Sequence, residues 1–257
     1  MTPVLPALGP ARRVVGVMGT VGRSVRRSLW DKVPRDHRQT PRDLHRRQLV
    51  TGAFVVLGAI VLSFSLQIEP GSDWFYVSTL VLAAVWTVGA FLSGPLHLGR
   101  TWREVTGDQG QESGPGPRPF LMPLLYAALL AGVFVVGGLV VRQIPALDAQ
   151  VRHVLDHADE GSIPLLVVIT ALNGVAEELF FRGALYAAST RYPVVVTTVA
   201  YTAATLATGN VMLAFAALLL AVLVGLERRA TGGILAPIIT HVGWSVSMLF
   251  VLPALFG

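Results

Sequence analysis

Long apolar stretches constrain this chain more than any other feature. A helix that crosses the hydrocarbon core of a bilayer needs about 20 consecutive, mostly apolar residues, and we identify seven candidate stretches. They cover residues 49–68, 74–98, 120–141, 163–189, 193–207, 211–226 and 233–255. A further helix at 144–158 would lie at the membrane interface. The sequence therefore predicts an all-α fold, a multi-pass transmembrane helical bundle of about seven spans.

The composition agrees with a membrane location. Hydrophobic residues make up 53% of the chain and charged residues 14%, whereas soluble domains carry about 25% charged residues. The chain has no cysteine, which excludes disulfides, cysteine-ligated zinc and thiol catalysis. We expect a multi-pass protein of the cell membrane.

Basic residues cluster before the first apolar stretch. Eleven of the 20 lysines and arginines lie in residues 1–48, against three aspartates. Basic segments favour the cytoplasmic side and anionic lipids, and basic and non-basic loops alternate along the chain as seven spans require. We therefore expect a cytoplasmic N-terminus, an outside C-terminus, and a tail that binds anionic lipids and no nucleic acid. A solvated arm is the alternative for the tail.

Three ionisable side chains interrupt the fourth stretch, in the segment NGVAEELFFRG at 173–183. Charged residues inside spans usually face a protein interior and carry function, because an Asp, Lys or Arg at mid-bilayer costs about 2.5–3.5 kcal/mol. Glu178 and Arg182 have the spacing and order of an ion pair, and we expect a forked hydrogen bond. Glu177, rotated by about 100° onto the face of Asn173, is then free to act as a general base. The alternative, a structural ion pair, leaves the second glutamate unexplained.

One histidine lies well inside a predicted span. His241 occurs in LAPIITHVGWS, about 12 Å from the cytoplasmic end of its stretch at 1.5 Å per residue. Glu177 and Ser245 lie about 18 Å from the ends of theirs. We expect these groups to share a buried layer that a kink at Pro237 opens to water. A helix-to-helix hydrogen bond is the alternative for His241.

The other histidines are less informative. His37 and His45 belong to the basic tail, and His97 ends the second stretch. His153 and His157 have the spacing of a two-histidine metal face, but they lie in a segment expected to be solvated. The position after the first of them, where a zinc protease of that pattern keeps a glutamate, is a valine. We expect no zinc site there.

Two segments together resemble a known family. EELFFRGALYAA resembles the EExxxR motif of the CPBP family of membrane-embedded proteases (CAAX prenyl endopeptidases and bacteriocin-processing proteins, also called Abi). LERRATGGILAPIITHVGWS resembles the terminal motif, which ends in His-x-x-x-Asn, and the resemblance covers about residues 163–250. It implies that Glu177 and a histidine from an intervening helix activate water, with Glu178 and Arg182 as support. His241 would stabilise the oxyanion or orient a reacting group.

The chain departs from this family pattern at two places. The middle motif Phe-x-x-x-His corresponds to Tyr201 and Thr205, and Ser245 replaces the final asparagine. Threonine can hydrogen-bond a water but cannot take its proton near neutral pH, so we expect feeble activity. A catalytic zinc usually has three protein ligands, and the chain offers Glu177 and His241 without a visible third. We therefore expect no tightly bound cofactor, and a divalent metal would need a ligand that the sequence does not reveal.

These observations divide the chain into four parts. They are a basic cytoplasmic tail (1–48), three transmembrane helices (49–142), an interfacial or extracytoplasmic loop (143–162) and a CPBP-like four-helix membrane core (163–256). The leading hypothesis is an endopeptidase that hydrolyses membrane-associated or prenylated substrates with a glutamate-activated water. A catalytically inactive relative that acts as a scaffold, immunity or partner-binding protein is the alternative. A transporter or proton relay through Glu177 and His241 is a third hypothesis.

Overall fold

A computed structural model describes residues 22–33, 39–96, 120–159 and 162–257. Every regular element in these ranges is helical, which confirms the predicted all-α class. The helices are α1 (Pro41–Ser65), α2 (Asp73–Ser93), α3 (Leu121–Val141), α4 (Pro145–Asp159), α5 (Ile163–Ala188), α6 (Pro193–Leu206), α7 (Val211–Thr231) and α8 (Leu235–Phe256), and a π-helical turn, Arg26–Trp30, precedes them. The predicted His37, His97 and most of the basic tail lie outside the described residues.

Six helices in the described ranges are long and apolar enough to cross a membrane: α1, α2, α3, α5, α7 and α8. The remaining predicted span corresponds to α6, which is apolar but shorter. Together these helices account for the expected number of about seven spans. The chain is therefore a multi-pass membrane protein with a helical bundle fold.

The first helix begins at Pro41, whereas the hydropathy pattern places its start near residue 49. Thr40 caps the helix because its side chain accepts a hydrogen bond from the Asp43 amide, and proline occupies the first helical position. The end of the predicted basic tail is thus helical. Hydropathy misses this first turn because its residues are polar.

Arg47 shows what a basic residue does in this first part of α1. Its side chain is buried, and its Nε and Nη2 atoms donate to the backbone oxygens of Ser93 and Pro95 at 3.1 and 3.0 Å. These carbonyls belong to the last residue of α2 and to the segment after it, and Gly94 between them caps the helix with φ +129°. A side chain at Gly94 would collide with the Arg47 guanidinium. Arg47 therefore joins α1 to the end of α2, and α2 ends earlier than predicted.

Helix α4 confirms the helix predicted at residues 144–158 to within one residue at each end, and its position at the membrane interface stays a prediction. His157 attaches this helix to the turn after α1. The two ring nitrogens of His157 lie 3.0 Å from the His153 carbonyl oxygen and 2.8 Å from the Ile68 carbonyl oxygen. Gln150 also accepts hydrogen bonds from the first amides of α7. Because both nitrogens of His157 face backbone oxygens, this imidazole is not available as a metal ligand.

Helix α5 is the centre of the bundle, in contact with α1, α2, α6, α7 and α8. Its segment Leu179–Leu185 is π-helical, and Phe180 and Phe181 are completely buried. The Trp86 ring of α2 packs against both phenylalanines at centroid distances of 4.8 and 4.9 Å. Gly58 of α1 gives this indole its space, since a Cβ there would overlap the ring. The segment that carries the acidic motif is therefore surrounded by protein and not by lipid.

Candidate active site

Two adjacent glutamates of α5 leave the helix in different directions. Glu178 is completely buried, whereas 14% of the Glu177 side chain is exposed. The π-helical segment begins directly after Glu178, and π-helical turns are frequent at functional sites. The two carboxylates therefore have different hydrogen-bond partners, as the rotation of about 100° per residue predicts.

The buried carboxylate of Glu178 binds an arginine and a histidine through one oxygen. Its Oε1 atom accepts hydrogen bonds from Arg182 Nη1 at 2.8 Å and from His241 Nδ1 at 2.7 Å. The predicted Glu178–Arg182 ion pair is present, but the predicted forked hydrogen bond is wrong. His241 and Arg182 share Oε1, and no described residue hydrogen-bonds Glu178 Oε2 or the Nε and Nη2 atoms of Arg182.

The carboxylate of Glu177 lies between α6 and α8. Its Oε2 atom accepts a hydrogen bond from the Tyr201 hydroxyl at 2.5 Å and lies 3.7 Å from His241 Nε2. The distance to Nε2 is too long for a direct hydrogen bond. His241 therefore stands between the two glutamates, with one ring nitrogen directed to each.

Small residues let α8 approach α5 at this point. A Cβ on Gly174 would lie 3.2 Å from the Val242 side chain and 3.6 Å from the His241 ring. On the same turn of α8, a Cβ on Gly243 would lie 3.3 Å from Ala127 of α3. Glycines of this kind are common where membrane helices pack closely. Gly174 thus allows the short distances between His241 and the glutamates, and Gly243 allows α8 to approach α3.

The other predicted site residues contact this cluster less closely. Thr205 is buried, but its hydroxyl donates to the Tyr201 carbonyl oxygen of its own helix at 2.9 Å. Ser245 is half-buried one turn beyond His241, and no hydrogen bond links its side chain to a described residue. The Asn173 amide donates to Ile169 in its own helix. The structure brings together Glu177, Glu178, Arg182 and His241, and the roles of Thr205 and Ser245 stay predictions.

Two polar residues of the site region were not predicted as site residues. Tyr201 was recognised as a motif position without a function for its hydroxyl. Glu227 is 1% exposed and lies 2.9 Å from the Thr240 hydroxyl. The hydropathy pattern ends this span at residue 226, but α7 continues to Thr231 and is capped by Gly232, whose φ is +72°. The TGG segment that follows the arginines could have indicated this C-terminal cap.

The donor set does not fit a zinc centre with three protein ligands. The described residues contain no group of three or more histidine, aspartate and glutamate side chains arranged to hold a metal ion. Glu178 is already paired with Arg182, and His241 Nδ1 is committed to Glu178. Glu177 and His241 Nε2 remain, which is fewer than such a centre needs. The expected lack of a tightly bound metal stays a prediction.

Comparison with known proteins agrees with this site. Residues 159–247 match a family model described as type II CAAX prenyl endopeptidase Rce1-like. No curated protein and no solved structure matches the chain. The matched segment contains the two glutamates, Arg182 and His241, and the family resemblance predicted from the two motifs is confirmed. Residues 159–247 are therefore similar to the Rce1-like CAAX prenyl endopeptidases, in the part of the chain that carries both motifs.

Proposed function

We propose that the protein is a membrane-embedded endopeptidase in which Glu177 is the general base. The observation that carries the proposal is the position of Glu177, whose Oε2 atom lies 3.7 Å from His241 Nε2 inside the bundle. Glu178, by contrast, is paired with Arg182 and cannot serve as a free base. The family description, a CAAX prenyl endopeptidase, supports a prenylated or otherwise membrane-anchored peptide as substrate.

Glu178 acts in this proposal by orienting His241. Because Glu178 is paired with Arg182 and stays a carboxylate, it accepts a hydrogen bond from the N–H group of His241 Nδ1. A carboxylate that holds one imidazole nitrogen fixes both the tautomer and the orientation of the ring. The Nε2 atom of His241 is consequently directed towards Glu177. The histidine of α8 then serves as the partner of the base, in place of the histidine that the family motif would put at Thr205.

The reaction would proceed by attack of water on a peptide carbonyl. Glu177 takes a proton from a water that it shares with His241, and the water oxygen bonds to the carbonyl carbon. The Ser245 hydroxyl would donate to the carbonyl oxygen that becomes negative. Collapse of this intermediate breaks the C–N bond, and Glu177 returns the proton to the leaving amine. The products are a carboxylate and an amine, with no redox change.

The orientation of the chain completes the proposal. With the basic tail in the cytoplasm and in contact with anionic lipids, the C-terminal end of α5 also faces the cytoplasm. Glu177 is 11 residues from Ala188, which corresponds to about 16 Å of helix. A substrate anchored in the cytoplasmic leaflet would therefore reach the base from that side.

The test uses the full chain in proteoliposomes with a fluorogenic prenylated peptide. We expect the wild type to cleave the peptide and Glu177→Gln to lose at least about 10²-fold in kcat/KM, because a general base contributes this much or more. Glu69→Gln is the matched control, since Glu69 is exposed in the turn between α1 and α2. A wild type without cleavage, or a Glu177→Gln variant as active as Glu69→Gln, would exclude the proposal.

A catalytically inactive relative that binds a partner is the second candidate. It is favoured by the Thr205 hydroxyl, which donates to its own helix, and by the lack of a histidine between Arg182 and His241. In that case the wild type does not cleave, and Glu177→Gln leaves the cellular phenotype unchanged. Arg182→Ala lowers the protein level, because the fold still needs the buried ion pair.

A further inference from the structure

The hydroxyl of Tyr201 is the closest hydrogen-bond donor to Glu177. It donates to Glu177 Oε2 at 2.5 Å. No described residue donates to Oε1, the other oxygen of the same carboxylate. The two oxygens of Glu177 are therefore in different situations, although a free carboxylate would exchange them by rotation.

The environment of the Tyr201 ring holds this hydroxyl in place. The ring packs edge-on against Phe181 at a centroid distance of 4.9 Å, and the Arg182 guanidinium lies 5.1 Å from the ring centre. The His241 ring meets it edge-on at 6.3 Å. With 9% of the residue exposed, few other rotamers are open to Tyr201. The neighbouring side chains thus hold the Tyr201 ring in the position from which its hydroxyl reaches Glu177.

We propose that Tyr201 is a positioning residue that holds Glu177 Oε2, so that Oε1 is the oxygen that receives the proton of the attacking water. The inference rests on the proposed function, in which Glu177 is the base. A hydrogen bond from a neutral hydroxyl to a carboxylate is shorter and stronger than one between neutral groups. It stops rotation of the carboxylate and leaves Oε1 without a hydrogen-bond donor among the described residues. The base is therefore oriented before substrate binds.

The experiment compares Tyr201→Phe with Tyr126→Phe. Both substitutions remove one buried hydroxyl and keep the ring. Tyr126 of α3 is the matched control, because its hydroxyl lies 2.5 Å from Ser28 Oγ and forms no hydrogen bond with Glu177. For Tyr201→Phe we expect kcat to fall by about 10- to 100-fold, the effect of one hydrogen bond to a charged group, with KM unchanged. For Tyr126→Phe we expect kcat and KM to stay at their wild-type values.

A second measurement does not depend on cleavage. A hydrophobic carbodiimide reacts with carboxyl groups in apolar surroundings, and mass spectrometry locates the labelled glutamate. Glu177 should be labelled faster in Tyr201→Phe than in the wild type or Tyr126→Phe, because the hydroxyl no longer covers Oε2. Thermal unfolding of both variants shows whether they are folded. If Tyr201→Phe fails to fold while Tyr126→Phe folds, Tyr201 has a structural role and the positioning role is overturned.

The outcomes separate this inference from the proposed function. If the wild type cleaves and Glu177→Gln does not, but Tyr201→Phe keeps the kcat of Tyr126→Phe, the positioning role is wrong and the proposed function stands. A change in KM alone also overturns the positioning role. If the wild type does not cleave, the proposed function fails. Equal labelling of Glu177 in the two tyrosine variants would then exclude the hydrogen bond as well.

Discussion

Replacing Arg182 with methionine should destabilise the bundle more than any other single charge removal in the site. Arg182 is completely buried, and its Nη1 atom donates to Glu178 Oε1 at 2.8 Å. Methionine keeps much of the aliphatic length of the side chain and removes the charge. The buried carboxylate of Glu178 would retain only the His241 nitrogen at 2.7 Å.

The magnitude follows from the burial of both partners. Removing one member of a buried ion pair costs about 3–5 kcal/mol, because the other charge stays in the interior without compensation. At about 1.4 kcal/mol per factor of ten, the unfolding equilibrium constant should rise by roughly two to three and a half powers of ten. The double variant Glu178→Gln/Arg182→Met should recover part of this loss, since it leaves no unpaired carboxylate. Glu178→Gln also keeps an oxygen that can accept from His241.

The assay is reversible unfolding of the purified chain in mixed micelles, with the wild type, both single variants and the double variant as a thermodynamic cycle. Arg191→Met is the matched control, because Arg191 is exposed in the connection from α5 to α6. Its free energy of unfolding should change by no more than about 0.5 kcal/mol. The coupling energy between Glu178 and Arg182 should be favourable and lie within about 0.5–3 kcal/mol.

Two results would refute the reasoning. One is an Arg182→Met variant as stable as Arg191→Met, which would mean that the buried carboxylate needs no cation. The other is a double variant that is less stable than Arg182→Met, which would mean that the cost comes from lost packing and not from an unpaired charge. Either result would also remove the argument that Glu178 is fixed by Arg182 while Glu177 is free.

Two further predictions concern the geometry of the site. Gly174→Leu should abolish peptide cleavage while the protein still inserts in the membrane, because a side chain there pushes His241 away from the glutamates. Gly132→Leu is the control and should keep wild-type kcat/KM, since a Cβ at Gly132 meets nothing within 4 Å. Equal activity of the two variants would contradict the prediction. Thr205→His should raise kcat/KM by placing an imidazole one turn from Tyr201, and a kinetic assay without any increase would show that Thr205 is not the equivalent of the motif histidine.

The fold could be predicted because apolar length is a direct signal of a span. The predicted stretches correspond to helices α1, α2, α3, α5, α6, α7 and α8. The errors lie at helix ends, where hydropathy carries no information. Helix α1 starts in a polar turn capped by Thr40, and α7 runs past a polar glutamate and two arginines to Gly232. Both helix ends have a local signal in the sequence: a threonine before a proline at the start of α1, and a glycine after basic residues at the end of α7. A prediction from hydropathy alone does not use these signals.

The site could be predicted only in part, because sequence spacing fixes neighbours within one helix and not between helices. The spacing of Glu178 and Arg182 gives their ion pair, and the rarity of histidine in spans singles out His241. That His241 would bind Glu178 through Nδ1, at the same oxygen as Arg182, depends on how α8 packs on α5. The contact of Tyr201 with Glu177 depends on the packing of α6 in the same way.

The central position of α5 explains why this transmembrane helix can carry two glutamates and an arginine. A helix on the surface of the bundle would expose at least one of two adjacent glutamates to lipid, because they point about 100° apart. Helix α5 has protein neighbours on several sides, so each carboxylate finds a polar partner: Arg182 and His241 for Glu178, and Tyr201 for Glu177. Since His241 comes from α8 and Tyr201 from α6, both carboxylates obtain all their partners only when these helices are assembled on α5. We therefore infer that assembly of α6 and α8 around α5 is also the step that creates the site.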